Sequence, residues 1–193
     1  MDKRLAILIA IGIAWLAISA PAPFGGGRAE ACAFLRVPTT YEADQLRASY
    51  NLGMDAASVN ALFPGDPYFG MPPLKVGPRS NRIDGAARIP PTLLRAIGWV
   101  ESNSAMAARS VSFESVGPAL VSFDCGYGIM QVTSGMTSPL GSDNQPTANQ
   151  ARVAVHYLYN IARGAVILAE KWNAAPASRP IAGTDTNSDP SLV

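Results

Sequence analysis

Between Pro64 and Pro91 the chain carries seven prolines, and this stretch governs how the rest can be arranged. Proline has no backbone donor and its ring clashes with the preceding turn, so no continuous helix or central strand passes through such a segment. It reads as a wrapping linker, with regular structure expected on either side. Upstream, Tyr41 to Leu62 reads as a helix with Thr40 and Glu42 near its start, Leu46, Tyr50, Met54, Val59 and Leu62 as apolar positions, and a break available at Gly53. Downstream, the run from Pro90 to Val100 is apolar at helical spacing. A long helix is expected from near Asn149 to Trp172, with Leu158, Ile161, Ala165, Leu168 and Trp172 on one face and Gly164 admitting a close neighbour. The one strand signal is Ala119 to Phe123, and no internal repeat is present.

Glu101 interrupts this pattern. Leu94, Ile97 and Glu101 stand at i, i+3 and i+7, so the acid shares the face that would otherwise enter a core. A carboxyl group placed there loses hydration, which favours the protonated form that a general acid needs near neutral pH. About thirty residues on, Gly126-Tyr127-Gly128-Ile129-Met130-Gln131 supplies two glycines that let backbone approach a ligand, a methionine suited to an irregular apolar gap, and an amide for hydrogen bonds. The plainer reading makes Glu101 a solvated residue at a frayed helix end, paired with Arg95 or Arg109, and places Met130 in the core.

Glu101-Ser102, Gly128-Ile129-Met130-Gln131 and Tyr159-Asn160-Ile161-Ala162-Arg163-Gly164-Ala165 with Leu168 resemble, in that order, the lytic transglycosylase family of bacterial peptidoglycan-cleaving enzymes. The resemblance covers about half the chain. It implies a mainly α, lysozyme-like domain of the soluble lytic transglycosylase type, with Glu101 as catalytic acid and then base. It also implies a glycan contact surface including Ser102, Tyr127, Gly128, Met130, Gln131 and Asn160. No cofactor or metal is implied, and the partner is the peptidoglycan glycan strand. Two departures stand out. Ser110 to Asp124 looks like an insertion, and the family's later Ala-Tyr-Asn helix has no counterpart, so either the domain lacks its C-terminal part or the site is altered. Trp172-Asn173-Ala174-Ala175-Pro176 follows Asn160 too closely to replace that helix and reads as a helix end.

A sugar hydrolase uses two carboxylates, and the candidates for a second are Glu114 and Asp124, neither on a face shared with Glu101. A transglycosylase needs one acid, which leaves three readings open: a transglycosylase, a cell-wall-binding or assembly module without turnover, and a lysozyme-type hydrolase. Ser102 either orients a sugar or closes the helix end. Tyr127, Tyr157, Tyr159, Trp99 and Trp172 are available for stacking on pyranose rings, though aromatics at helical spacing more often fill cores. His156 is the sole histidine, which excludes a multi-histidine metal site, and it reads as a helix residue without a catalytic duty.

Asp2-Lys3-Arg4 precedes the uncharged run Leu5 to Ala20, a secretory apolar region with a basic flank, or an uncleaved membrane anchor. Ala20-Pro21-Ala22 and Ala29-Glu30-Ala31 are candidate cleavage sites, and cleavage at the second would leave Cys32 first, the arrangement of a lipoprotein. Export to the cell envelope permits Cys32 and Cys125, the only cysteines, to form a disulfide; two unpaired thiols are the alternative. A net charge of +1, without a basic stripe or zinc-finger spacing, gives no case for nucleic-acid binding. Nothing in the sequence identifies a protein partner. The expected organisation is a signal or anchor over 1–31, a helical and proline-rich segment over 32–83, the lysozyme-like domain over 84–173, and an irregular mobile tail over 174–193.

Overall fold

The computed structural model describes residues 32–77 and 81–175. The expected signal or anchor over 1–31 lies outside them, as does the expected tail beyond 175. In chain order the elements are β1 (Thr39–Glu42), α1 (Ala48–Ser58), β2 (Lys75–Val76), β3 (Ile83–Asp84), α2 (Pro91–Ser102), β4 (Ser115–Pro118), α3 (Ala148–Val155) and α4 (Tyr157–Ala174). Among the described residues these four helices and two small two-stranded sheets make a mixed α/β architecture in which helix predominates.

β1 corrects the helix expected to begin at Tyr41. Thr39, Thr40 and Tyr41 are β-branched and aromatic residues that suit a pleated surface, and they pair antiparallel with β4 from Thr39 opposite Pro118 to Glu42 opposite Ser115. Thr40 and Glu42 point inward while Thr39 and Tyr41 point out. The helix starts only after Arg47, which adopts a left-handed φ of 58°. Leu46 and Val59 therefore fall outside α1 and are exposed, whereas Tyr50, Met54 and Ala57 form its buried stripe. Gly53 does not break the helix: a Cβ there would stand 3.1 Å from Leu158 and 3.2 Å from Ile161, so it marks the crossing with α4.

Among the described residues the proline-rich stretch contains no helix before Pro91, and its β2–β3 hairpin is fastened to the end of α4. The Trp172 indole donates to the Lys75 carbonyl at 2.8 Å, the Lys75 amide donates to the Asn173 side chain at 2.7 Å, and that side chain donates to the Pro73 carbonyl at 2.9 Å. The single long helix expected from Asn149 is two helices. His156, at φ −136° and ψ 118°, interrupts it, and its Nδ1 accepts from the Leu158 amide to cap α4. The apolar spacing runs on across this break, so periodicity alone hides it. The strand expected at Ala119 to Phe123 lies earlier, at Ser115–Pro118; Ala119 and Val121 contribute only isolated bridges, to Ala107 and Tyr127.

One apolar core extends from Ala43 to Ala169, with Tyr50, Met54, Leu94, Met106, Tyr127, Ile129, Met136, Val153 and Ile161 among its most enclosed members. Residues 32–83 and 84–173 thus share a core. Cys32 and Cys125 form a disulfide with a Cα–Cα distance of 5.3 Å, which decides between the two states the sequence left open.

Candidate active site

α2 begins where Pro90 and Pro91 place it, since a proline at the first helical position loses no bond it would otherwise make. Its buried stripe is Leu94, Gly98 and Ser102, spaced by four. A Cβ on Gly98 would lie 2.7 Å from the Met54 methyl and 3.1 Å from Ile129, so only glycine lets α2 press onto both α1 and the Gly126–Gln131 loop. The helix ends at Asn103 and Ser104, both left-handed, with the Asn103 amide on the Trp99 carbonyl and the Ser104 amide on that of Gly98.

Ser102 joins this helix end to the loop. Its hydroxyl lies 2.8 Å from the Ile129 carbonyl and 2.9 Å from the Gly98 carbonyl, donates within that pair, and accepts from the Ala105 amide at 3.1 Å. From the other side Asn160, fully buried on α4, accepts from the Met130 amide at 2.9 Å and donates to the carbonyls of Tyr127 at 2.7 Å and Val153 at 3.0 Å. Gly164 seats Met130: a Cβ at that position would be 2.7 Å from both the Cβ and Cγ of Met130. The loop closes on itself through paired Tyr127 and Val132 hydrogen bonds, a Gln131 amide on the Gly128 carbonyl, and the Gln131 side chain donating to the same carbonyl at 2.8 Å. Gly128, at φ +63°, would drive a Cβ to 2.6 Å from the Met106 sulfur, so glycine is required there by both backbone and space.

Glu101 therefore stands beside this loop, but the expected desolvation is absent. On a helix of 3.6 residues per turn it points roughly 20° from Leu94 and 40° from Ile97, at the margin of the buried stripe of Leu94, Gly98 and Ser102. The core stops one turn short of it. The side chain is exposed and, among the described residues, makes no hydrogen bond or ion pair. Arg95, a possible partner, is bound to Asp55 of α1 instead.

The other expected contacts divide sharply. Tyr127, 1% exposed, and Asn160, 0% exposed, are enclosed, and the Asn160 amide is spent on the backbone around the loop. Ser102, Gly128 and Met130 are likewise buried and hold the loop, while Gln131 is half-buried. Burial pushes the Tyr127 phenol above its ordinary value, with a backbone hydrogen bond from Phe34 opposing it. Tyr157 packs on Tyr50, Tyr159 stacks on Phe63, and Trp172 serves the hairpin. Trp99 is exposed, but its direction on α2 is roughly 200° from that of Glu101, so the two face apart. Glu114 and Asp124 are both exposed, the latter beside Ser122 at a turn tip.

Glu42 is the carboxylate that sequence reasoning missed as a partner of this region. It is 3% exposed; its Oε2 accepts from the Met106 and Ala107 amides at 3.0 and 2.8 Å, and its Oε1 lies 3.3 Å from the Tyr50 hydroxyl. It fixes the backbone that follows Glu101. Burial, then the neighbouring Glu42 charge, pushes the Tyr50 phenol far above its ordinary value. Gln150 was also missed. Its side chain accepts from the amides of Thr147 and Leu140 and donates to the carbonyls of Gly135 and Ser138, and Thr147-x-x-Gln150 is a capping box visible in the sequence.

Among the described residues no three His, Cys, Asp or Glu side chains gather as a metal-holding group, and no helix is long and apolar enough to cross a membrane. No protein-family model, curated protein or solved structure matches the chain.

Proposed function

We propose that the protein is an exported peptidoglycan lytic transglycosylase with a lysozyme-like catalytic region and Glu101 as its single acid and base. The observation that carries this reading is the placement of Glu101: exposed, without a hydrogen bond or ion pair among the described residues, and next in the chain to Ser102, which with Asn160 fastens the loop. One open carboxyl group beside a fastened loop suits a reaction that needs one. Glu101 protonates the oxygen linking N-acetylmuramic acid to N-acetylglucosamine as the C1–O bond breaks. Its carboxylate then accepts the proton of the muramoyl 6-hydroxyl while O6 bonds to C1, leaving a 1,6-anhydro end. The Cys32–Cys125 disulfide supports export, because such bonds persist in oxidising compartments.

A second reading, a wall-binding module without turnover, is favoured by the enclosure of Tyr127 and Asn160, which leaves few side chains to grip a sugar at Glu101. A lysozyme-type hydrolase is the third, with Glu114 or Asp124 as its further carboxylate. Purified peptidoglycan incubated with the protein or with Glu101→Gln, reduced with borohydride and read by mass spectrometry, separates all three. Non-reducible anhydro ends from the parent protein alone support the transglycosylase. Reducible ends indicate hydrolysis, and co-sedimentation without release indicates the binding module.

A further inference from the structure

The two large apolar side chains most open to solvent among the described residues are Phe123, 100% exposed, and Leu35, 96% exposed. They belong to one corner. Phe123 lies two residues before Cys125, Leu35 three residues after Cys32, and the disulfide joins the two segments. Neither is exposed through looseness of its backbone. The strap bearing Leu35 is fixed by the Ala33 amide on the Met136 carbonyl and by Phe34, whose ring sits 5.6 Å from that of Tyr127. The turn bearing Phe123 is closed by the Ser122 amide on the Gly126 carbonyl at 2.9 Å, the Cys125 amide on the Ser122 carbonyl at 3.1 Å, and the Gly126 amide on the Ser122 hydroxyl at 2.8 Å.

Single exposed apolar residues are ordinary, but here the pattern continues. Val37, 54% exposed, follows Leu35 at the two-residue interval, and on the outer face of the β1–β4 ribbon Tyr41 pairs with Val116, 46% and 68% exposed. Arg36, also exposed, stands between Leu35 and Val37. The sequence indicates what this surface meets. Eleven residues separate the end of the uncharged run Leu5 to Ala20 from Cys32, and a chain of that length spans at most about 40 Å.

We propose that this disulfide-joined corner rests on a lipid bilayer, with Phe123, Leu35 and Val37 at the boundary between headgroups and acyl chains and Arg36 against the phosphates. The N-terminal apolar run delivers the domain to the membrane, and the corner fixes which face it turns toward the lipid. The contact is independent of the catalytic reading.

The test uses the full chain with vesicles of phosphatidylcholine and phosphatidylglycerol, three to one, prepared with and without brominated acyl chains. Tryptophan emission is compared for the parent protein, Phe123→Trp, Leu35→Trp, and Val100→Trp, a control position 81% exposed on α2. The expected result is an added blue-shifted component, quenched at least twofold by bromolipid, for Phe123→Trp and Leu35→Trp and not for Val100→Trp. Native Trp15, within the apolar run, reports separately on insertion of that run, so failure of the anchor and failure of the corner are distinguishable. Emission from Phe123→Trp and Leu35→Trp that bromolipid leaves unquenched overturns the proposal whatever Trp15 does. A concentration-dependent blue shift without lipid, equal to that with lipid, overturns it in favour of self-association. Both positions are open to solvent, so unchanged urea midpoints confirm that the variants fold.

Discussion

Replacing both cysteines with alanine removes a cross-link between residues separated by 93 positions. The closed loop contains α1, the proline-rich stretch, α2 and β4, so the bond chiefly restricts the unfolded chain. In the chain-entropy treatment a loop of this length lowers the unfolded-state entropy by about 16 cal/mol/K, equivalent to roughly 4.6 kcal/mol at 25 °C. Small domains have a total stability of about 5–15 kcal/mol, so this one bond carries a large share. The local contribution is smaller, because the Ala33–Met136 hydrogen bond and the Phe34–Tyr127 ring contact also hold the strap.

Urea unfolding followed by far-UV circular dichroism, on the oxidised parent, the parent under reductant, and Cys32→Ala/Cys125→Ala, measures the difference. The expected loss is about 3–5 kcal/mol, similar for reduction and for substitution, with α2 and α4 still formed in the absence of denaturant. A double variant within about 1 kcal/mol of the oxidised parent would refute the reasoning. It would mean that the unfolded chain is already compact across this loop, or that the two segments separate without cost.

Asn160→Leu leaves the Met130 amide and the Val153 carbonyl unpaired and takes from the Tyr127 carbonyl one of its two donors, the other being the Val132 amide; at about 1–3 kcal/mol for each orphaned buried group it should lower stability by at least about 2 kcal/mol, and a near-neutral result in the same urea assay contradicts the pinning role. Gly164→Ala gains up to about 1 kcal/mol of helix propensity, but its methyl meets the Cβ and Cγ of Met130, and overpacking of about 1–3 kcal/mol should prevail. A rise in melting temperature would count against that close approach. Glu42→Ala orphans the Met106 and Ala107 amides and should cost about 3 kcal/mol, whereas Glu42→Gln keeps an acceptor for them and should cost less; equal losses would show that the contacts are incidental. Tyr50 and Tyr127 have folded-state values raised above the ordinary 10.0, so the unfolded state ionises first: their stabilising effect is complete below pH 10 and lost as pH climbs toward the folded values. Phenolate absorbance should therefore rise together with loss of circular dichroism, and Tyr127→Phe should make the decline of stability with pH shallower; an unchanged slope removes Tyr127 from this account.

The limits of the sequence are clearest where direction and cover are separate questions. The prolines at 90 and 91 and the spacing of Leu94, Ile97 and Glu101 fix where α2 starts and which way the acid points, because both follow from local backbone geometry. Whether anything lies over Glu101 depends on where α1 and the Gly126–Gln131 loop stop, and no residue near 101 encodes that. Asn160 shows the reverse case. Its place on a helix was legible, but an amide can face a ligand or the backbone of its own protein, and the choice was set by carbonyls and an amide up to 33 residues away. Glu42 was harder still: its amide partners are 64 and 65 residues distant, and its strand is brief enough to merge into the helical pattern that follows. The buried polar groups thus turn out to be the fastenings of the region, and Glu101 its exposed acid. That division is physically consistent. Glu42 already accepts from two amides and lies beside the Tyr50 hydroxyl, whereas among the described residues the Glu101 side chain makes no hydrogen bond or ion pair and keeps its acceptor capacity open.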